Sequence, residues 1–290
     1  MKIIDLSKYN KVTDWGKVKS AVGGVIARCA YRGYGSGKIV QDSKFAEFAE
    51  ACKVQGIPFG VYFMSQAITE AEGREEADYS AKLAHQYGAA LPIFIDSEDG
   101  DGTAKVVRAD GLSKTVRTAV VRAFCQRVAE LGYAGGVYAS ENWFNSKLNY
   151  SELTQYLIWV AKYGDNTGSK CSAVTLSKYD AHQYTSNGTV QGIAGRVDVS
   201  EFYCLASDKQ PTEQESSMGK EGMEEYDMTT IRRGSKGNAV KVWQIIVGAT
   251  PDGMFGSGTE RVTKNWQSSH GLAADGIVGA KSWKAGLKSL

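Results

Sequence analysis

Eight short apolar runs, separated by stretches of helical periodicity, limit what this chain can fold into. The runs are Lys2–Leu6, Gly24–Ala30, Pro58–Met64, Pro92–Glu98, Gly135–Ser140, Leu157–Tyr163, Ala181–Thr185 and Arg196–Phe202. In the fourth, Ile93-Phe94-Ile95 is apolar on both alternating faces, the pattern of a parallel strand covered by helices. Ser43–Gln55, Glu70–Tyr87 and Ser113–Leu131 read as helices between runs. In the last of these, Val116, Val120, Phe124 and Val128 recur on one face. Strand–helix alternation repeated eight times over about 205 residues predicts an α/β fold, a TIM-like β/α barrel. The later connections are too short for full helices, so the barrel is expected to be irregular there.

Enzymes on this scaffold carry their chemistry at the C-terminal ends of strands. Asp5 ends the first run, Asp96 and Glu98 end the fourth, and Asp198 lies in the eighth. Alternation along a strand puts Asp96 and Glu98 on one face, roughly 6.5 Å apart. Two acids leaving a buried strand repel, and partial burial raises the proton affinity of at least one. A glycosidase needs this arrangement: one carboxyl that keeps a proton near neutral pH, another that stays negative beside the developing sugar cation. The segment Asp-Ser-Glu-Asp-Gly-Asp-Gly at 96–102 is also good turn chemistry. Four acids converging on one mouth favour catalysis over a turn. Tyr62, Tyr138 and Tyr184, near strand ends, and Trp159 read either as core aromatics or as lining of a sugar cleft.

Charge divides the chain. Residues 1–207 carry 23 Lys/Arg against 22 Asp/Glu, residues 208–227 carry 2 against 7, and residues 228–290 carry 9 against 3. A near-neutral body, an acidic connector without a periodic apolar face and a basic tail predict three parts: a catalytic barrel (1–207), a flexible linker (208–227) and a small domain (228–290). The tail holds a half-repeat, with Pro-Asp-Gly-Met-Phe-Gly-Ser-Gly-Thr at 251–259 echoed by Ala-Asp-Gly-Ile-Val-Gly-Ala-Lys-Ser at 274–282. Each Asp-Gly predicts a turn before a helix capped by Thr or Ser. Helices at Asn238–Val247, Gly258–Ser269 and Ala280–Leu287 would complete a three-helix all-α module.

The five cysteines, Cys29, Cys52, Cys125, Cys171 and Cys204, are scattered and expected to be reduced. His85, His182 and His270 lack metal-ligand spacing, and Asp99 with Asp101 lacks the Gly and Glu of a calcium loop. No metal or cofactor is expected. Met-Lys-Ile-Ile-Asp enters a strand without a signal-like apolar region, and no run is long enough to span a bilayer. The expectation is synthesis in a cytoplasm, no membrane insertion, and release to any outside target by other means. Basic charge in the tail suits an anionic polymer; no nucleic-acid readout motif accompanies it.

Several of these residues occur together in known families. They are the opening Ile4-Asp5-Leu6-Ser7, Gly60-Val61-Tyr62, Ile95-Asp96-Ser97-Glu98 and Gly136-Val137-Tyr138. Later come Trp159-Val160-Ala161-Lys162-Tyr163 and the ending Gln183-Tyr184-Thr185-Ser186-Asn187-Gly188…Gly195-Arg196-Val197-Asp198. Residues 1–205 resemble, through these, the glycoside hydrolase family 25 lysozymes, the Chalaropsis-type muramidases. Arg233-Gly234…Trp243-Gln244, Asp252-Gly253…Phe255-Gly256, Trp266-Gln267 and Asp275-Gly276…Val278-Gly279 resemble the small three-helix peptidoglycan-binding domain. Barrel muramidase plus wall-binding tail is the layout of a bacteriophage endolysin.

The resemblance implies hydrolysis of the β-1,4 bond from N-acetylmuramic acid to N-acetylglucosamine in bacterial peptidoglycan. Glu98 would be the general acid and base. Asp96 would stabilise the substrate's own N-acetyl group or the oxocarbenium, with a direct covalent role left open. A carboxyl separation of about 5–5.5 Å suits direct attack, and about 6.5–9.5 Å suits an intervening group. Asp5 and Asp198 would tune proton affinities and hold sugar or water. Arg28 and Tyr31 stand where the family commonly has Lys and Thr or Ser, Met64 where His is frequent, and His182 where Trp is usual. These departures are expected along the sugar cleft and bear on subsites. Met218, Met223 and Met228 read either as ordinary linker residues or as internal starts that would release a free, self-associating binding domain. Two other functions fit less well. One is a non-catalytic wall-binding protein, which four intact acids disfavour. The other is a chitinase-type amino-sugar glycosidase, whose longer acid ladder would need an acid where Phe94 stands.

Overall fold

The computed structural model describes residues 1–99, 107–170, 173–204 and 230–287. Two compact units divide the chain, Met1–Glu213 and Gln214–Leu290. The expected linker at 208–227, Met218, Met223 and Met228, Asp101 and Cys171 lie outside the described residues.

The first unit begins with β1 (Lys2–Leu6), β2 (Lys11–Val12), α1 (Trp15–Ala21), β3 (Gly24–Arg32), β4 (Ile39–Gln41) and α2 (Phe45–Gln55). It continues with β5 (Phe59–Met64), α3 (Glu70–Tyr87), β6 (Ile93–Asp96), α4 (Lys114–Glu130), β7 (Gly135–Ser140) and α5 (Glu141–Ser146). Last come β8 (Leu157–Ala161), β9 (Ala181–Gly188), β10 (Ile193–Ala194) and β11 (Val197–Phe202). All eight expected strands are present. They close a ring in the order β1-β3-β5-β6-β7-β8-β9-β11, sealed by pairing of β1 with both β3 and β11. Seven run parallel; β11 is antiparallel to both of its neighbours. An antiparallel strand needs no crossover helix, which is why alternation fails at the end of the barrel. The β4 strand pairs with β3 outside the ring, and β2 pairs with β10 in a two-stranded ribbon.

Each strand splits its residues between two cores. Ile3, Ile26, Phe94, Leu157, Trp159 and Phe202 pack inside the ring. Ile4, Val25, Val61, Ile95, Val137 and Val160 face the helices outside it. Inside, the Trp159 ring stands edge-on to Phe94 at 5.1 Å and is tilted against Phe202 at 5.4 Å. Gly136 makes room for this floor, since a Cβ there would lie 2.3 Å from the Phe94 ring. The floor is therefore apolar and filled, and polar groups can collect only above it.

Helix starts follow their caps. Thr69, Ser113 and Ser140 accept hydrogen bonds from Glu72, Val116 and Trp143 N–H, which satisfies first-turn donors of α3, α4 and α5. The expected stripe on α4 needs one correction: Val116 is exposed, while Val120, Val121, Phe124 and Val128 are buried. The buried first-turn residue is Arg117, whose Nη2 donates to Ala109 O at 2.6 Å. Cys29, Cys52 and Cys125 are buried and free, with Cys29 and Cys52 pushed up to about 12 by burial. Among the described residues no helix is long and apolar enough to cross a membrane.

The second unit contains α6 (Asn238–Ile246), α7 (Ser257–Ser269) and α8 (Ala280–Leu287) among the described residues. Trp243 lies at its centre, 5.0 Å from Trp266 and 5.2 Å from Trp283. The half-repeat has a hydrogen-bonding reason. Gln244 Nε2 donates to Asp252 Oδ1, Met254 O and Thr259 Oγ1, and its Oε1 accepts from Gly253 N. Gln267 repeats this with Asp275 Oδ1, Ile277 O, Ser282 Oγ and Gly276 N. Thr259 and Ser282 are thus buried partners of the glutamines and not the expected helix caps; the α7 cap is Gly256, without a side-chain bond. Both glycines adopt left-handed φ, 77° and 74°, which favours Gly after each Asp.

Gln244→Ala should destabilise this unit by about 2–4 kcal/mol, because it strands several buried donors and acceptors at once. Urea unfolding followed by near-UV circular dichroism of its tryptophans checks this; an unchanged midpoint contradicts it.

Candidate active site

The four acids meet above the aromatic floor. Asp5 is next to last in β1, Asp96 ends β6, and Asp198 is second in β11. Because β11 runs antiparallel, its beginning lies at the C-terminal end of β1, and Asp5 stands directly opposite Asp198. Glu98 needs a correction: the strand stops at Asp96, so alternation does not aim it. The turn is held at Ser97, whose N–H donates to Tyr138 O at 3.0 Å and whose Oγ accepts from Trp143 Nε1 at 3.3 Å. The Arg117 guanidinium lies 4.7 Å from the Trp143 ring centre. Glu98 nevertheless shares a cavity of ≈ 170 Å³ with Asp5, Asp96 and Asp198.

Burial and crowding raise the proton affinity of all four. Burial pushes Glu98 up to about 7, with Asp198 and Asp99 adding to it and Arg28 opposing. Asp96 is raised well above the usual carboxylate range, first by burial and then by Glu98 and Asp5. Asp5 is raised by burial and by Asp198, against a hydrogen bond from Gln183, and burial takes Asp198 to about 6. Asp96 Oδ1 is buried without a hydrogen-bond partner among the described residues. Near neutral pH the cavity therefore holds protons on some carboxyls and charge on others, the division that general acid catalysis requires.

Tyr62, Tyr138 and Trp159 line this cavity, Trp159 as part of the floor with its Nε1 donating to Ser200 Oγ at 3.0 Å. Two further lining residues escaped sequence reasoning, Tyr163 and Gln183. Tyr138 and Tyr163 hydroxyls both donate to Gln183 Oε1, at 2.8 and 2.6 Å, and Gln183 Nε2 donates to Asp5 Oδ2 at 2.9 Å. Strand parity could have found both: Tyr163 follows Trp159 by four, and Gln183 follows inward-facing Ala181 by two.

The same parity removes Tyr184 and His182 from the cleft. Both project to the other face of β9; Tyr184 packs against the outer core, and the two rings lie 6.2 Å apart. Arg28 and Tyr31 also do not line the cavity. Arg28 is drawn away by Asp42, at 2.7 Å from Nε to Oδ2, and acts on the acids only as a nearby charge. The β3–β5 register shifts after Arg28, and Tyr31 stands against the Lys8 and Arg28 cations. Met64 pairs with Asp96 in register and its sulfur lies near Tyr34 and Arg28. Among the described residues no group of three or more His, Cys, Asp or Glu is arranged to hold a metal ion.

Residues 4–193 match the family model for glycosyl hydrolases family 25. The chain belongs to this family. Residues 240–285 of the family 25 chain match a peptidoglycan binding domain. The chain is 24% identical over 202 residues to the autolytic lysozyme of Clostridium acetobutylicum, over 70% of this chain and 56% of that protein. Its fold resembles the modular autolysin LytC of Streptococcus pneumoniae, solved with a synthetic peptidoglycan ligand, with TM-score 0.57 and 26% identity, covering 69% of this chain and 46% of that one. It also resembles the CTP1L endolysin, with TM-score 0.53 and 26% identity over 69% of this chain and 66% of that one. The chain thus spans about half the length of the lysozyme and of the autolysin.

The raised Glu98 value has a consequence for stability. Folded Glu98 binds its proton more tightly than unfolded Glu, whose value is about 4.3. Below that value the group costs the fold nothing; as pH rises through about 7 the buried charge forms and stability is lost. Glu98→Gln should melt with wild type at pH 4 and above it at pH 8, by roughly 2–4 °C for each kcal/mol relieved. A lower Tm for the variant at pH 8 contradicts this.

Proposed function

We propose that this family 25 member is a peptidoglycan-degrading N-acetylmuramidase that cleaves the β-1,4 bond between N-acetylmuramic acid and N-acetylglucosamine. The observation that carries the reading is Glu98 at about 7 in a cavity shared with three other acids. Glu98 gives its proton to the glycosidic oxygen as the bond from that oxygen to C1 breaks. Positive charge then develops at C1. Asp96 answers it by holding the substrate's acetamido group: its orphaned Oδ1 accepts the acetamido N–H, and the acetamido oxygen closes on C1. Glu98, now a carboxylate, takes a proton from water as that water bonds to C1 and the acetamido oxygen departs. Asp198 keeps the proton affinity of Glu98 high and Asp5 that of Asp96, and Gln183 holds Asp5 in place.

The tail would hold the enzyme on the wall, where its basic charge also suits anionic wall polymers and raises the local substrate concentration. The similarity to an autolytic lysozyme, and to an autolysin solved with a peptidoglycan ligand, supports this polymer. The similarity to an endolysin supports a bacteriophage role; in that role the enzyme would reach the wall after holin-type release from the host cytoplasm. That endolysin is described as regulated by a secondary translation product, which supports an internal start at Met218, Met223 or Met228 here; self-association through the tail would follow if the free domain assembles with the full-length chain.

Digestion of purified peptidoglycan, followed by mass spectrometry of reduced products, tests the reading. Wild type should release fragments ending in reducing muramic acid, and Glu98→Gln should release at least about 100-fold fewer. Reducing glucosamine ends would mark a different glycosidase. No cleavage would mark a binding protein.

A further inference from the structure

The α4 helix carries a buried charge in its first turn. Arg117 is only 4% exposed, at the head of a buried stripe that is otherwise apolar through Val120, Val121, Phe124 and Val128. Burial pulls its proton affinity below the usual guanidinium value, opposed by Asp110 and Asp99. Its Nε has no hydrogen-bond partner among the described residues. An apolar side chain of similar length would pack there without taking a charge out of water. The guanidinium is explained only by contacts that such a side chain could not make.

Two such contacts are present. Nη2 donates to Ala109 O at 2.6 Å and to Asp110 O at 3.4 Å, on the segment that leads into α4. The guanidinium carbon also stands over the Trp143 ring, 4.7 Å from its centre. Indole is the best ring partner for a cation, and the attraction grows when both groups are out of water. Trp143 is itself buried. A second cation, Lys147, stands 5.6 Å from the same ring, but it is exposed and held less firmly.

Trp143 lies in the first turn of α5, where its N–H donates to Ser140 Oγ, and its Nε1 donates to Ser97 Oγ at 3.3 Å. Ser97 is thereby held at two points, its hydroxyl by Trp143 and its N–H by Tyr138 O. The next residue is Glu98. Because β6 ends at Asp96, no strand ladder aims Glu98, and the backbone from which its carboxyl projects is fixed at Ser97. The indole bond is at the long end for an N–H donor, so a small tilt of the ring breaks it. We propose that Arg117 is a positioning residue for Glu98, acting through the Trp143 indole and the Ser97 hydroxyl. This rests on the reading above in which Glu98 is the general acid.

Full-length Arg117→Met, Trp143→Phe and Ser97→Ala, assayed on soluble glycan strands as a function of pH, test this chain of contacts. Each should lose at least about tenfold in kcat with KM within about twofold, since a misplaced acid slows the step without weakening binding. The upper limb of the kcat profile should also move to lower pH by at least about half a unit, as Glu98 gains water and releases its proton more easily. Arg117→Met combined with Ser97→Ala should lose no more than about threefold beyond the worse single variant, because both break one chain. Trp143→Phe keeps the ring and the cation and removes only the N–H, so it remains a test even where Arg117→Met folds poorly. A wild-type kcat and pH limb per folded molecule in either variant, whatever the melting temperature, overturns the proposal. Losses that multiply in the double variant overturn it too. Lys147→Met should change neither readout, and an effect equal to that of Arg117→Met contradicts the assignment. Failure of the general-acid reading would look different: Glu98→Gln itself would cleave strands at near the wild-type rate.

Discussion

Everything in the catalytic unit turns on keeping four carboxyls together in a place that resists it. Asp5 and Asp198 are direct cross-strand partners, an arrangement that destabilises a sheet when both are charged. Asp96 and Glu98 add to the crowding from β6 and the turn beyond it. The ring of eight strands is what holds them: closure through β1 fixes β3 and β11 on either side of Asp5, and the aromatic floor leaves no room for the acids to sink or spread. The repulsion is relieved by protons, and a retained proton is what the proposed chemistry would use. In that reading, instability and function are one property of the same carboxyls.

The surroundings divide this field instead of cancelling it. Arg28 lies close enough to pull Asp96 and Glu98 down, yet its Nε is committed to Asp42. Tyr138 and Tyr163 spend their hydroxyl protons on Gln183, which passes its own amide hydrogen to Asp5. Glu141 and Lys162, which line a neighbouring hollow together with Glu98, form a matched pair.

Alternation of apolar runs was enough to locate all eight barrel strands, because the outer face of each must be buried under helices while the inner face packs a shared floor. It also placed Asp5, Asp96 and Asp198, since each falls within a strand. Glu98 was found for a partly wrong reason. Its aim depends on the Trp143 bond to Ser97, made across 46 residues, which no local pattern records. Tyr184 was misjudged from nearness to a strand end, where parity with Gln183 would have turned it outward. Arg28 and Tyr31 were expected in the cleft, and the Asp42 pairing and the register shift in β3 that keep them out are both tertiary facts. In the tail, the repeated Asp-Gly was legible as turns. The buried glutamines that require those turns were not, because their partners lie eight to fifteen residues away.

The central claim is that Glu98 keeps its proton at neutral pH because the barrel buries it among other acids. Carbon-13 NMR titration of the Glu98 carboxyl in the folded full-length chain, assigned by comparison with Glu98→Gln, measures this directly. The account predicts a midpoint near 7. A midpoint near 4, the value of an exposed glutamate, would contradict it.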